Sequence, residues 1–561
     1  MIVINRPSPK LIEMLGGTAK KEDRKYRFAK YCLDTITDDG DKAVFNTLTE
    51  SVVLIRKGEE LDEEAITYLV ENLFMVPEEF DDNQRCDKLW EETHPKNKEM
   101  KRDFNIYTIF TTTDCNARCF YCYEKGVDKI KMSKETALRV ADFIEKSKGE
   151  KTNSISITWF GGEPTTNPEA IDIICQKLQE KGIKYKTNII SNGYLFDDAL
   201  VEKAKTLWKL TSAQITIDGT ESVYNKAKNY IYGKDINAFQ VVTDNIERLL
   251  KAGIAITIRM NVDLYNAEDI KTLIPALQER FSPYEKIYSL YINPLFEAFT
   301  ENVKRDEEKE KKLYEKFLEL DALLESYGHA GQFHRNYPKH MCMGDNIHSI
   351  TVLPNGRIGV CEHFIDSEYI GNIDDGILDV DKMVEWKEAS KNDMDICQEC
   401  PFKGNCYRIT HCLEQNHCNK YIRDRKIYKE KGALKKYVEN ALKKGVDGIV
   451  IKPFTLIKDD NNIYFLLTKI SCENLPEPSN EDFLRFINAN TNFTKYNITI
   501  DEISSRRVEC VIGEKSMDVY KIDITKHPNI NKEIMFTWQP YFDMYDGKLI
   551  TNKGETIISR W

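Results

Sequence analysis

The chain has no run of about 18 apolar residues that would let a helix cross a bilayer. Its opening, MIVINRPSPK, lacks the charged-then-apolar pattern of an export signal, which predicts a cytoplasmic setting. A basic stripe is missing too. The 80 Lys and Arg side chains are outnumbered by 91 Asp and Glu, and runs such as Asp306 to Lys312 mix both signs as solvated helix faces do. Neither nucleic acid nor a membrane is therefore an expected partner. There is no internal repeat and no low-complexity segment. With 41% hydrophobic and 30% charged residues the composition is that of a globular protein. Its 561 residues exceed what one core can organise and predict roughly three to four domains.

What the chain does have is cysteine, 15 in all. In a reducing compartment that number is not a disulfide framework, and metal or cluster ligation is the alternative. The placement is uneven. Three lie within Cys115–Cys122 and seven between Cys342 and Cys418. Cys32, Cys86, Cys175, Cys472 and Cys510 stand alone and read as small buried hydrophobes.

Between Tyr107 and Pro294 short apolar runs alternate with helical patterns. The runs begin at Ile106, Ser154, Tyr185, Ala213, Ile254 and Ile287, and they read as largely apolar rather than alternating, as expected for parallel strands covered on both faces. Helices are predicted after Ser133 and after Asn237. Six β/α repeats predict an α/β fold, an open or partial (β/α)6 TIM-like barrel with its chemistry at the carboxyl ends of the strands. Residues 1–100 read as a separate α+β unit. It has strand-like stretches at Tyr26–Cys32 and Ala43–Ile55 around an Asp38-Asp39-Gly40 turn, then a helix from about Leu61 to Leu73. The barrel takes 101–300, a helical linker 301–340 and a cysteine-rich segment 341–420. The tail, 421–561, opens with a charged helix from Ile427. It continues from Gly448 as a small α+β domain with a hairpin turning at Asp459–Asn462 and a helix capped near Ser479.

Cys115-Asn-Ala-Arg-Cys119-Phe-Tyr-Cys122 follows directly on the first barrel strand. CX3CX2C offers three soft thiolates in a short loop, which suits an iron–sulfur cluster. Three ligands on a four-iron cluster leave one iron open for a further ligand, as catalytic metal sites do.

With Tyr121 before its last cysteine, this loop resembles the signature of the radical S-adenosylmethionine (SAM) superfamily. The likeness runs on in order, with Phe160-Gly161-Gly162-Glu163-Pro164 ending the second strand, Ser191-Asn192-Gly193 the third and Asp218-Gly219 the fourth. Arg259-Met260-Asn261 lies on the fifth. The resemblance implies that SAM chelates the open iron. Gly161, Gly162 and Glu163 would serve its ammonium, Ser191 and Arg259 its carboxylate or ribose, and Tyr121 would lie near the adenine. Reductive cleavage would yield a 5′-deoxyadenosyl radical that takes a hydrogen atom from substrate, with a flavodoxin or ferredoxin as low-potential electron donor.

Downstream, Cys342 and Cys361 flank Gly356, followed by Cys397-X2-Cys400-X5-Cys406-X5-Cys412-X5-Cys418. This resembles the SPASM domain of radical SAM enzymes that modify peptides and proteins, although five residues rather than three separate Cys406 from Cys412. By that resemblance Cys397, Cys400, Cys406 and Cys418 bind one auxiliary cluster. Cys342, Cys361 and Cys412 bind another, its vacancy open to Glu362 or His363, for three [4Fe-4S] clusters in total. Ile350 to Val360 independently reads as a hairpin turning at Asn355-Gly356. His411 and His417 leave open a mixed Cys/His zinc site.

Phe45-Asn46-Thr47-Leu48-Thr49, Val52-Val53-Leu54, a helix and Phe74-Met75-Val76-Pro77 resemble the winged-helix-like module with which ribosomal-peptide maturases hold the leader of a precursor by strand addition. A structural cap is the plainer alternative. The expected function is a radical SAM/SPASM oxidoreductase that installs a thioether or a carbon–carbon or carbon–oxygen crosslink in a precursor peptide. The alternatives are an anaerobic sulfatase-maturing type of enzyme and a non-catalytic iron–sulfur or zinc-binding regulator. Asn293 and Glu297, near the end of the sixth strand, are the pocket candidates there, and no catalytic acid or base can be named.

Overall fold

The computed structural model describes the chain except for residues 6, 8, 17–23, 94–102, 151, 153, 234–235, 296–305, 330–342, 345, 364–366, 388–394, 407–417, 445–449, 459–461, 471–479, 481–483, 485–497, 510–515, 524, 527–541, 546–547, 552–555 and 559–561. The first strands are short: β1 (Ile2–Asn5), β2 (Tyr26–Phe28), β3 (Cys32–Ile36), β4 (Lys42–Asn46), β5 (Ser51–Ile55) and β6 (Met75–Pro77). Four of them form an antiparallel sheet in the order β1-β5-β4-β3, and β2 pairs with β6. Period-two alternation divides the side chains. Ile2, Ile4, Leu33, Phe45 and Leu54 lie on one face, and Val3, Val44, Val53 and Ile55 on the other. Ala43–Ile55, expected as one extended stretch, is two strands because Asn46 turns the chain. Its side-chain oxygen accepts from the backbone of Leu48 at 3.0 Å and Thr49 at 3.1 Å, and Glu50 takes a left-handed φ of 58°. The following helix, Glu63–Glu71, is capped by Asp62 and is shorter than expected because Leu73 turns at φ 64°.

The parallel strands are β7 (Ile106–Thr112), β8 (Ile155–Gly161), β9 (Tyr185–Ser191), β10 (Leu210–Thr216), β11 (Ala255–Val262) and β12 (Tyr288–Pro294). They lie in sequence order across the sheet, the arrangement of a partial barrel, with a helix after each of the first five. Ser133 and Asn237 cap the helices Lys134–Ser147 and Ala238–Lys251, where their sequences place them. Apolar side chains from one face of this sheet, such as Ile157, Trp159, Ile189, Ile215 and Ile258, enter the largest core with helix residues such as Tyr224 and Phe281. Strands such as β8, β9 and β11 thus alternate in burial where they were expected to be covered by apolar residues on both faces.

The sheet does not stop at β7. Four further strands extend it: β13 (Ser349–Val352), β14 (Arg357–Gly359), β15 (Tyr369–Asn372) and β16 (Gly376–Ile377). β13 is parallel to β7, pairing Ser349 with Ile106 through Val352 with Ile109. The expected Ile350–Val360 hairpin forms, closed by a Leu353-to-Arg357 backbone hydrogen bond of 2.9 Å. It covers the β7 edge, and that placement had no sequence signal.

Two long helices flank these four strands in the chain, Glu307–Ser326 before β13 and Lys420–Lys444 after β16, the second beginning seven residues before Ile427, where Asn419 accepts from the Ile422 N–H at 2.9 Å. Arg425 joins them by gripping buried Asp321 at 2.6 and 2.9 Å. Leu434 and Val438 then pack on the Ile2/Phe45 face of the first sheet. The tail holds β17 (Val450–Lys458), β18 (Asn462–Ile470), β19 (Ile503–Glu509) and β20 (Ser516–Asp523) in one antiparallel sheet. Lys458 faces Ile463 across the expected hairpin, whose turn at 459–461 lies outside the described residues, as does Ser479. A small sheet of β21 (Phe542–Tyr545), β22 (Lys548–Thr551) and β23 (Thr556–Ile558) comes last. Among the described residues no helix is long and apolar enough to cross a membrane.

Candidate active site

At the carboxyl end of β7 the chain leaves the sheet as the Cys115–Cys122 loop. Two glycines let it lie against the end of β8. A Cβ on Gly161, at φ 125°, would stand 2.0 Å from the Thr112 carbonyl oxygen, and one on Gly162 would stand 2.5 Å from that of Asp114. In that space the N–H groups of Gly162 and Glu163 donate to those same carbonyls at 3.1 and 3.0 Å. The glycines of the expected SAM motif thus have a structural task, seating the cysteine loop.

Glu163 is fully buried. One carboxylate oxygen accepts from the Thr165 N–H at 3.0 Å, the Thr165 hydroxyl at 2.5 Å and Ser191 at 2.8 Å; the other accepts from the Asn192 N–H at 2.7 Å. Burial pushes its carboxyl above the ordinary range despite these donors. Ser191 also accepts from the Gly193 N–H at 2.9 Å, so its hydroxyl is engaged between the ends of β8 and β9. Arg259, half-buried on β11, donates through Nε to Asn261 at 2.9 Å.

Beneath the loop is a buried ionic cluster that sequence reasoning missed. Lys228 lies 3.0 Å from Asp218 and 2.7 Å from the Tyr121 hydroxyl, which itself donates to Asp218. Asp218 further accepts from the Asn261 backbone at 2.8 Å and side chain at 3.1 Å. Burial is the largest single effect and works against the Lys228 ammonium, but Asp218, Tyr121, Cys119 and Tyr224 together outweigh it and hold the lysine well above its usual range. The Tyr121 ring is thereby fixed one residue before Cys122. No local motif marks Lys228; its one hint is Tyr224, four residues earlier, whose ring it overlies at 5.8 Å.

The three thiols are half-buried. Burial pushes Cys115 up to about 12, with Glu163 and the two other cysteines adding to it, and raises Cys122. A cationic centre beside Cys115 and Cys122 would favour their thiolates against that burial. Asn116, buried beside Cys115, has a side-chain N–H2 with no acceptor among the described residues, while its oxygen accepts from Asn192 at 2.6 Å. Cluster sulfides are acceptors of the kind that donor lacks. Among the described residues no three Cys, His, Asp or Glu side chains converge on a single ion; a four-iron cluster, which takes one thiolate per iron, does not require it. The loop fits such a group.

Of the second constellation, Cys342, Cys412, His411 and His417 lie outside the described residues, as do Glu297 and the isolated Cys472 and Cys510. Cys361, Cys397 and Cys400 are buried, and Cys406 and Cys418 half-buried. Cys361 follows β14, with the His363 N–H 3.5 Å from its sulfur and Glu362 at 3.7 Å. The His363 ring stands 5.0 Å from that of Tyr123, next to Cys122, so the Cys361 turn and the triad loop are neighbours. Asn293, half-buried on β12, donates to the Pro294 carbonyl at 3.2 Å. Cys86 and Cys175 are buried in apolar surroundings, as expected, and Cys32 is half-buried.

The Radical SAM superfamily model matches residues 109–275. Radical SAM cyclopropyl synthase TigE of Paramaledivibacter caminithermalis is 23% identical over 363 residues, covering 59% of this chain and 71% of that protein. Among solved structures, native anSMEcpe with bound AdoMet is 16% identical over 60% of this chain and 99% of that one, at a TM-score of 0.46. Streptococcus suis SuiB bound to precursor peptide SuiA is 14% identical over 71% and 98%, at 0.42.

Proposed function

We propose that this chain, a radical SAM enzyme by its domain at residues 109–275, is a maturase that crosslinks a ribosomally made peptide. The observation that carries the reading is the triad loop seated across the ends of β7 and β8, with the motif residues of β9 to β11 in the carboxyl-terminal parts of neighbouring parallel strands or just after them. When bound, the cluster and SAM supply an electron and a hydrogen-abstracting radical. Cys115, Cys119 and Cys122 would hold three irons. Arg259 uses one of its five N–H donors on Asn261 and keeps the others for the SAM carboxylate. Glu163 and Ser191 align the strand ends, and Lys228 with Asp218 holds the Tyr121 ring beside the loop.

The crosslinking reading draws on the name of the cyclopropyl synthase, which denotes ring formation by that protein, and the peptide assignment draws on the resemblance of the downstream cysteines to SPASM domains. Residues 1–100 would serve as the peptide-recognition module: β3 ends the first sheet and pairs only with β4 among the described strands, which leaves an edge for strand addition. Residues 341–420 would carry two auxiliary clusters that accept the electron released on bond formation. A flavodoxin or ferredoxin would reduce the SAM cluster.

The test incubates anaerobically reconstituted enzyme, SAM and reductant with candidate precursor peptides translated from any short reading frames beside its gene. A peptide lighter by the hydrogens lost in one crosslink supports the reading. An unchanged mass, with SAM consumed and the clusters fully loaded, contradicts it.

A further inference from the structure

We infer that the N-terminal sheet is the wall that shapes the Cys397-X2-Cys400-X5-Cys406 loop, with Thr47, Leu48, Gly404 and Asn405 as positioning residues. The inference rests on reading Cys397–Cys418 as a metal-binding segment, and it gives the Asn46–Ser51 turn a role that peptide recognition does not require.

Each of the three cysteines sits beside a residue clasped by that module. Next to Cys397, the Gln398 carbonyl accepts from the Lys30 ammonium at 2.5 Å. Next to Cys400, the Pro401 carbonyl accepts from the Thr47 hydroxyl at 2.7 Å, a contact across 354 residues of sequence. Just before Cys406, the Asn405 side-chain amide donates to the Thr47 carbonyl. One wholly buried residue, Thr47, therefore ties both ends of the Cys400–Cys406 interval.

The interval also fits by shape. A Cβ on Gly404 would stand 2.4 Å from a Leu48 methyl and 3.3 Å from the Cys86 Cα. Cys400 and Phe402 join the apolar face of Ile2, Ile4, Leu33 and Phe45. Lys403, nearly buried, lies 3.5 Å from Asp87 and 3.2 Å from the Gln398 side chain. The turn that receives the loop is itself rigid, locked by Asn46 and by a 2.6 Å hydrogen bond between Thr49 and Ser51. Inside the loop the backbone closes three short turns, Cys400 N–H to Cys397 at 3.1 Å, Lys403 N–H to Cys400 at 3.0 Å and Asn405 N–H to Phe402 at 3.0 Å. Those turns alone leave the loop without a sheet or long helix of its own, so the module contacts supply much of the order that ligands need.

The experiment counts iron and sulfide in anaerobically reconstituted full-length protein and records the EPR spectrum after reduction, with and without SAM. Wild type should hold iron beyond the about four atoms of the SAM cluster. Gly404→Val should lose that extra iron and its EPR signal while the SAM-responsive signal stays. Adding Leu48→Ala, which opens room for the new side chain, should restore both. Thr47→Val should lower the extra iron severalfold, and Thr47→Ser should return it. Wild-type iron and spectra in Gly404→Val and Thr47→Val would overturn the inference, as would a wild type that holds one cluster only. No peptide enters these measurements, so failure of the maturase reading leaves the result interpretable.

Discussion

The triad loop and the Cys397–Cys406 loop both present three cysteines, but they are built in opposite ways. The triad loop takes its support from the barrel. Its carbonyls receive N–H groups from the end of β8, and its aromatic is held by Lys228 and Asp218. Its sulfurs remain half-exposed and have an unpaired amide donor beside them. The downstream loop buries Cys397 and Cys400 and leans on strands some 350 residues earlier. An open iron has to admit a further ligand, which suits a loop on a strand end; a closed site suits burial between modules. The difference teaches that two three-cysteine loops, CX3CX2C and CX2CX5C, can be told apart by what each rests on, a strand end in one and a separate module in the other.

Three substitutions would sharpen or break that contrast. The largest effect is expected at Lys228. Lys228→Met leaves Asp218 buried without its counter-charge and should cost about 3–5 kcal/mol in denaturant unfolding. Asp218→Asn in the same chain should recover much of the loss, and a single-variant cost under about 1 kcal/mol would mean that the barrel does not hold Tyr121 in this way.

Gly161→Ala comes next. It combines a backbone clash with a φ that L side chains rarely adopt, and about 3 kcal/mol should be lost together with SAM binding. Gly182→Ala, also at positive φ but with nothing within 4 Å, should cost about 1 kcal/mol and leave SAM binding alone. Equal losses at the two sites would remove the close approach as the cause.

The smallest effect belongs to the N-terminal module. Burial raises the Asp34 carboxyl, but Lys42 and Lys431 outweigh it and hold it below its ordinary value. Because the folded value is depressed, the stabilisation is present above the ordinary Asp range and is lost as pH falls through it. Asp34→Asn should therefore cost less than about 1 kcal/mol at neutral pH, and the difference in melting temperature should vanish as pH falls from about 5 to about 2. A difference that persists in acid would point to packing rather than charge.

The barrel was legible because its strands are rich in apolar residues and its helices carry caps such as Ser133 and Asn237, both of which are local signals. The motif order placed Cys115, Gly161, Glu163 and Ser191 at or just after the ends of neighbouring strands, and Arg259 on the fifth, for the same reason. Their partners were not legible. Ser191 faces Glu163 rather than open space because two strand ends meet there, and Lys228 reaches Tyr121 across 107 residues. The pairing of β13 with β7 and the clasp of Thr47 on Pro401 are equally long-range, and no periodicity encodes them. The split of Ala43–Ile55 did have a signal, the Asn46 side chain capping its own turn, but it was hidden in an otherwise extended run.

The most direct test of the account compares 5′-deoxyadenosine release from SAM, under a strong reductant and without peptide, in three reconstituted proteins. These are wild type, Cys115/Cys119/Cys122→Ala and Cys397/Cys400→Ala. The account predicts release by wild type, none above background from the first variant, and continued release from the second. Release that survives loss of the triad, or a wild type that releases none with its iron and sulfide complete, would contradict it.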